Sequence, residues 1–206
     1  LNRSNQWNEN KWPEIWDTLS TLPGSRAEIS QKITSEHKSE MANRILELKK
    51  RELTILNKNK VDYKCEDLSV RSYMKSFGSE FTCRSIEDYV PIEWHSDLNS
   101  NAQFRWDSSL FYTKIKVAPV DGADIKVPRE LSRFQHIGLL FHHDKKFGAQ
   151  EFILEALDWI NSNPVRKGVN WASTMDVSLR AINWIWGLSL FRDSINIYPE
   201  ALNTMI

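Results

Sequence analysis

Two segments in the second half of the chain decide its fold, GADIKVPRELSRFQHIGLL at residues 122–140 and NPVRKGVNWASTMDVSLRAINWIWGLSLF at residues 163–191. Apolar residues recur in both at intervals of three and four, which is the spacing of one face of an α-helix. Pro128 suits the first turn of a helix, where its missing N–H would have had no partner. We therefore predict helices over residues 128–143 and 171–191.

A further helix is predicted between these two, over residues 149–161. Its apolar residues fall on one face, and the acidic Glu151, Glu155 and Asp158 fall on the other. Asn163 and Pro164 end it, because the residue before a proline is disfavoured in the helical conformation. Short connections favour antiparallel neighbours, so the sequence predicts a pair of helical hairpins rather than alternating strands and helices.

The predicted helix over residues 171–191 is apolar around most of its circumference, so we expect it to be buried between layers. Asp176, Arg180 and Asn183 share one narrow polar stripe on it. A buried charge must be paired or face water, since an unpaired one costs several kcal/mol. The stripe is either an Asp176–Arg180 pair that serves helix packing, with a neighbour from the helix over residues 128–143, or the lining of a cleft for an anionic polymer.

Glu130 and Arg133 form a second charged pair, three residues apart on the helix over residues 128–143, and Lys126 and Arg129 precede them. Guanidinium groups bind carboxylates and sulfates through forked hydrogen bonds, so these residues are candidates for holding an acidic sugar. A basic turn that only faces solvent and binds nothing would have the same sequence pattern.

Residues 1–120 are less regular. Trp7, Trp12 and Trp16 indicate an N-terminal arm, and the Ser25 to Glu28 spacing indicates a capping box that starts an amphipathic helix reaching about residue 52. Residues 53–56 suit a short extended piece, and residues 62–89 suit loops and short pieces of secondary structure. For the aromatic and polar residues 90–120 we favour a connector whose tryptophans fill the core and whose polar side chains bond loop backbone, over a sugar-contacting role.

Composition limits the functional classes. The 206 residues suit one domain, and 27 basic residues balance 27 acidic ones, so no net charge attracts nucleic acid or a membrane. No run of 18 apolar residues predicts a membrane span, and no leader is recognisable after Leu1. Cys65 and Cys83 are compatible with a disulfide or with two thiols. Adjacent His142 and His143 point about 100° apart on a helix, so neither a metal nor another cofactor is predicted.

The two segments resemble the N-terminal domain of the heparinase II/III-like polysaccharide lyases, and a weaker likeness extends back to Pro91. The motif positions that carry the resemblance are Lys126, Val127, Pro128, Arg129, Glu130, Leu131, Ser132, Arg133, Gln135, His136, Asn163, Pro164, Gly168, Val169, Asn170, Trp171, Met175, Asp176, Val177, Arg180, Ala181, Asn183 and Trp184. Arg129 departs from the tryptophan often found after Lys-Val-Pro in that family, which puts a sugar-stacking surface in doubt.

The resemblance implies a mainly all-α fold, an incomplete α/α toroid of antiparallel helical hairpins with an irregular N-terminal and linker region. Residues 1–120 would form the arm and connector, and residues 121–206 the first toroid helices. The family cleaves uronic-acid-containing polysaccharides by β-elimination, so an anionic polysaccharide is the implied substrate. Substrate contact is implied for Lys126, Arg129, Arg133, His136, Asn170, Trp171 and Arg180. Bracing of the cleft wall is implied for Glu130, Asp176 and Asn183.

The family's catalytic asparagine, histidine and tyrosine are expected downstream of Ile206, so no residue of this chain is assigned a catalytic role. We expect the 206-residue chain alone to lack lyase activity, with the rest of the toroid and the β-sandwich domains as its partners, in a periplasmic or secreted protein. Two alternatives stay open: a non-catalytic glycan-binding or scaffolding toroid of a surface-polysaccharide system, and a purely structural helical domain.

Overall fold

The computed structural model of the protein describes residues 61–65, 67, 69–77, 83, 85–100, 103–195 and 199–205, together with residues 43, 47, 52 and 53. The predicted N-terminal arm and its three tryptophans lie outside the described residues. So does most of the predicted amphipathic helix of residues 25–52, of which Asn43 and Glu47 are described and helical.

The described part of the chain is mainly helical, as predicted. The helices are α1 (Ser69–Lys75), α2 (Lys126–Leu131), α3 (Ile137–His143), α4 (Lys145–Ser162), α5 (Thr174–Ile195) and α6 (Pro199–Met205), with 3-10 turns at Tyr112–Lys114 and Val169–Trp171. The strands are short: β1 (Glu52–Leu53) pairs antiparallel with β2 (Val61–Asp62), and β3 (Ser96–Asp97) pairs antiparallel with β4 (Phe104–Arg105).

Helix α4 is the centre of the molecule and packs against α1, α3, α5 and α6. It begins where the Asp144 carboxylate accepts a hydrogen bond from the backbone N–H of Phe147 at 2.7 Å, and it ends at Asn163, as the Asn-Pro pair predicts. Helix α5 approaches it closely at Gly187, where an added Cβ would lie 2.7 Å from the Phe152 ring. The close approach explains why a glycine stands inside a long helix.

The acidic face of α4 lies in the interior of the molecule. Glu151, Glu155 and Asp158 are only 2%, 1% and 1% exposed, because neighbouring elements surround the helix. Buried carboxylates need partners. Asp158 accepts hydrogen bonds from the Tyr89 hydroxyl and the backbone N–H of Ile92, both at 2.9 Å, and anchors the connector to α4.

The prediction of a continuous helix over residues 128–143 is wrong, since α2 and α3 are separate. Phe134 lies in the break with a φ of 59°, a left-handed conformation that costs a residue with a Cβ roughly 1–2 kcal/mol. Its side chain is fully buried, stacked on Trp94 at 5.6 Å and edge-on to Trp184 at 5.4 Å between ring centroids. Burying a phenylalanine is worth about 1.5–3 kcal/mol, which offsets that cost.

Helix α5 is not buried all round, which corrects a second prediction. It begins at Thr174, so Trp171 lies in the preceding 3-10 turn. Met175 and Ile182 are each 60% exposed, and Ile185 is 44% exposed. The apolar residues around α5 therefore predicted more burial than the helix has. Its polar stripe faces the interior, and part of its apolar surface faces solvent.

Within residues 90–120, the structure confirms that the tryptophans fill the core and that polar side chains bond backbone groups. Trp94 and Trp106 are buried in the core. His95 donates from Nε2 to the Ser162 carbonyl at 2.9 Å, and Asp97 accepts from the backbone N–H groups of Asn99 and Asp124. His95 and Asp97 thus bond backbone groups that are not paired in a strand, as expected for side chains that support the fold.

The two cysteines are thiols, which decides the alternative that the sequence left open. Cys65 is half-buried and Cys83 is exposed, and no disulfide joins them. Burial raises the pKa of the Cys65 thiol, so this group is a poor nucleophile near neutral pH.

Candidate functional site

Asp176 is the centre of the polar cluster that the sequence singled out. It lies in the first turn of α5, is 2% exposed, and its Oδ1 accepts a hydrogen bond from Nε of Arg133 at 2.6 Å. Nη1 of Arg133 reaches Oε2 of Glu130 at 3.3 Å. The forked guanidinium of Arg133 therefore joins two carboxylates, one on α2 and one on α5.

Arg180 lies one turn further along α5 and is 4% exposed. Nη1 donates to the Ser132 hydroxyl at 3.2 Å and Nη2 donates to the Asn170 carbonyl at 3.3 Å. The guanidinium carbon lies 3.9 Å from the centroid of the Trp159 ring, a cation–π contact. Burial lowers the pKa of Arg180 to about 10, although the nearby Asp176 carboxylate opposes that shift.

The predicted stripe is therefore real, but its pairing differs from the simplest expectation. The hydrogen-bonded partner of Asp176 is Arg133, which follows α2, whereas Arg180 is held by neutral groups and an aromatic face. Asn183 completes the stripe by donating to the Arg133 carbonyl at 2.7 Å. The stripe fastens the break between α2 and α3 to α5.

Asn170 and Trp171 belong to the same cluster through the 3-10 turn that precedes α5. Asn170 is fully buried, and its Nδ2 donates to the Trp94 carbonyl at 2.8 Å and to Oδ1 of Asn163 at 2.9 Å. Trp171 is half-buried, and its Nε1 donates to the Asn163 carbonyl at 3.2 Å. The side-chain amide of Asn170 therefore donates only to groups of the protein itself, whereas Trp171 is partly exposed at the surface.

Arg129 differs from the other two arginines of the cluster. It is half-buried on α2, and its Nε has no hydrogen-bond partner. Burial lowers the pKa of Arg129, and the Asp176 carboxylate opposes that shift. In the described part of the chain no carboxylate lies within ion-pair distance of it. Since Nε itself is buried, an external anion would meet this half-buried guanidinium through its Nη groups.

Lys126 and His136 lie at the margins of the cluster. Lys126 is exposed in the first turn of α2, where its backbone N–H donates to Asp124 at 3.0 Å. His136 precedes α3, and its Nε2 lies 2.5 Å from Oε2 of the buried Glu155 on α4. Lys126 therefore extends the basic surface beside Arg129, whereas His136 is engaged by a carboxylate of the core.

The charges of the cluster sum to a cationic site. It contains three guanidinium groups, those of Arg129, Arg133 and Arg180, and two carboxylates, those of Glu130 and Asp176, which both pair with Arg133. Lys126 adds a further positive charge at the edge. Among the described residues no group of three or more histidine, cysteine or acidic side chains is placed to hold a metal ion. The chemistry that this arrangement supports is binding of an anion at Arg129.

A cavity of about 340 Å³ lies elsewhere, between the connector and the end of α4, and sequence reasoning missed it. Its charged lining consists of Asp67, Glu93, Asp158 and Arg105. His95 also lines it, and burial lowers the pKa of that imidazole. Three carboxylates against one guanidinium make this cavity a poor site for an acidic sugar. Its walls come from four segments that are far apart in the sequence, so no local sequence motif predicts the cavity.

Comparison of the chain with protein families, with curated proteins and with solved structures finds no match. No described helix combines the length and the hydropathy that crossing a membrane requires. The polar cluster and the sequence resemblance are therefore the two features that indicate a function.

Proposed function

We propose that this chain is the first part of an incomplete α/α toroid of a uronate-cleaving polysaccharide lyase, and that it binds the anionic polysaccharide at Arg129. The observation that carries the proposal is the half-buried guanidinium of Arg129, which forms no ion pair with any carboxylate in the described part of the chain. Arginine binds carboxylate and sulfate groups through two parallel hydrogen bonds, and partial burial strengthens such a contact.

The other residues of the cluster then have two kinds of role. Lys126 and the surface part of Trp171 contact the polymer, since the ammonium group is exposed and an indole face packs against sugar C–H groups. Arg133, Asp176, Arg180, Asn170 and Asn183 brace the wall, because their polar atoms bond protein groups. His136 belongs with the bracing residues through its contact with Glu155.

Cleavage by such a lyase needs a group that neutralises the uronate carboxylate, a base for the C5 proton and an acid for the leaving oxygen. In this proposal those groups are supplied downstream of Ile206, and the present chain supplies binding. It is therefore expected to bind acidic polysaccharide without producing unsaturated uronate, which ultraviolet absorbance detects. Formation of that product by the 206-residue chain would contradict the division of roles.

The binding test is titration calorimetry with heparin and alginate oligosaccharides. Arg129→Gln removes the positive charge and the pair of parallel N–H donors. We expect this variant to bind the oligosaccharides about tenfold or more weakly than the wild type. Arg192→Gln is the matched control, because Arg192 lies in the last turn of α5 beside Asp193 and outside the cluster. Equal affinities for Arg129→Gln and the wild type would exclude this site, provided that both proteins unfold at the same temperature.

Experiments on a longer protein that includes the downstream helices distinguish a lyase from a non-catalytic glycan-binding toroid. A protein that carries the downstream helices and releases unsaturated uronate is a lyase. One that binds with the same dependence on Arg129 but releases no product is a binding or scaffolding toroid.

A further inference from the structure

A second cationic surface lies on two loops outside the Arg129 cluster. We name it the Arg166 patch, and its members are Phe111, Tyr112, Lys114, Arg166 and Lys167. Phe111 is 37% exposed, and the three basic side chains are exposed. The neighbouring Val165 is 73% exposed, which adds apolar area to the surface.

The patch has an organised geometry. The guanidinium carbon of Arg166 lies 4.9 Å from the Phe111 ring centroid and 5.9 Å from that of Tyr112. The two rings are 4.9 Å apart and tilted by 41°. In the described part of the chain, no carboxylate forms an ion pair with Arg166, Lys167 or Lys114. Aromatic faces and unpaired cations thus stand side by side at the surface.

Backbone contacts hold the two loops in this arrangement. Tyr112 donates its N–H to the Arg166 carbonyl at 2.9 Å, Gly168 donates to the Leu110 carbonyl at 2.8 Å, and Phe111 forms a β-bridge with Lys167. A tight turn from Pro164 to Lys167 closes the second loop with a 2.9 Å hydrogen bond. The side chains of the patch are therefore presented by a fixed backbone, which lowers the entropy lost on binding.

Arg166 also adopts a backbone conformation that a non-glycine residue seldom takes, with a φ of 66°. Such a conformation costs of order 1–3 kcal/mol and persists where the surroundings impose it, often at binding sites. Here the strained residue is an arginine whose side chain lies over the exposed Phe111 ring and the partly buried Tyr112 ring, and neither glycine nor asparagine relieves the strain. The strain and the exposed aromatic surface point to a ligand in the same place.

From this geometry we propose that the Arg166 patch is a second docking site for an acidic polysaccharide. Sugar rings pack their C–H faces on Phe111 and Tyr112, while Arg166, Lys167 and Lys114 bind the carboxylate or sulfate groups. The choice of an acidic polysaccharide as the ligand rests on the proposed function, but the residues of the Arg166 patch do not include Arg129. The three exposed cations complement a polyanion, and the proposed function selects an acidic glycan as that polyanion, with single-stranded DNA as the competing outcome of the test.

The test compares variants of the 206-residue chain in titrations with heparin oligosaccharides, with uncharged dextran and with single-stranded DNA. Arg166→Asn removes the charge and tolerates a positive φ, so the loop keeps its conformation. We expect it to weaken heparin binding by about tenfold and Phe111→Ala to weaken it severalfold. Lys146→Gln, at an exposed lysine of α4, is expected to leave binding unchanged.

The outcomes separate this inference from the proposed function. If Arg129→Gln weakens binding while Arg166→Asn and Phe111→Ala do not, the patch is not a site and the proposed function stands. If only the two patch variants weaken binding, the patch stands and the Arg129 site falls. A wild-type chain that binds no heparin, or that binds DNA more tightly than heparin, overturns the docking site as stated.

Discussion

Nε of Arg133 and Oδ1 of Asp176 are 2.6 Å apart, although the two residues are 43 positions apart in the chain. The contact joins the break after α2 to the first turn of α5. The Asp176 side chain is 3% exposed and that of Arg133 is 15% exposed, so water screens the pair weakly. This ion pair is therefore a structural element of the cluster as well as a feature of the proposed binding wall.

Replacing Asp176 by asparagine should strongly destabilise the fold. The change leaves Arg133 with only Glu130 and removes the carboxylate nearest to the buried Arg180. Loss of one partner of a buried pair typically costs about 3–5 kcal/mol. Urea denaturation measures the free energy of unfolding. Asp193→Asn, at an exposed position of α5, should change it by less than about 0.5 kcal/mol. A similarly small effect of Asp176→Asn would show that Arg133 does not need its partner.

Replacing Gly187 by alanine should also destabilise the protein, against the usual helical preference for alanine of about 1 kcal/mol. The new Cβ would lie 2.7 Å from one atom of the Phe152 ring and 3.0 Å from two others. Overpacking of this kind costs about 1–3 kcal/mol. Thermal and urea unfolding measure the change.

Phe152→Leu provides the control for that clash. If the clash is the cause, adding Gly187→Ala to Phe152→Leu should cost less than adding it to the wild type, which is a favourable coupling in a double-mutant cycle. Greater stability of Gly187→Ala than of the wild type would refute the close contact between α4 and α5.

The buried His95 should make the protein less stable in mild acid. Burial lowers its pKa below the ordinary 6.5, and the hydrogen bond to the Ser162 carbonyl only partly opposes that shift. As the pH falls through 6.5, the unfolded chain binds the proton before the folded one does. Stability is therefore complete above pH 6.5 and decreases below it, by at most about 1.4 kcal/mol per pH unit for one proton.

His95→Gln isolates this contribution. The burial of His142 lowers the pKa of that residue too, so it destabilises the fold in the same pH range and remains in the variant. Unfolding free energies measured at several pH values should fall less steeply in His95→Gln than in the wild type. Parallel pH profiles would mean that His95 is protonated equally in the folded and unfolded states.

Local sequence was sufficient for part of the site. The spacing of Asp176, Arg180 and Asn183 places them on one face of any helix, and the cost of burying charge predicts that they have polar partners. It did not identify those partners, because Arg133 reaches Asp176 only after the chain breaks at Phe134. Tertiary packing likewise leaves Nε of Arg129 without a hydrogen-bond partner, which the local sequence does not reveal.

What the sequence determined by itself is the mainly helical character, the end of α4 at Asn163 and the stripe on α5, since these follow from periodicity and from the backbone chemistry of proline. Tertiary structure alone decided the break between α2 and α3, where burial of the Phe134 ring outweighs a backbone conformation that no local signal predicts. It also decided the burial of Glu155 and Asp158, because the partners that make a buried carboxylate tolerable come from distant segments. The inward-facing polar stripe of α5 and its outward-facing apolar residues have the same origin, since helical periodicity defines the faces of a helix but not which of them meets the core.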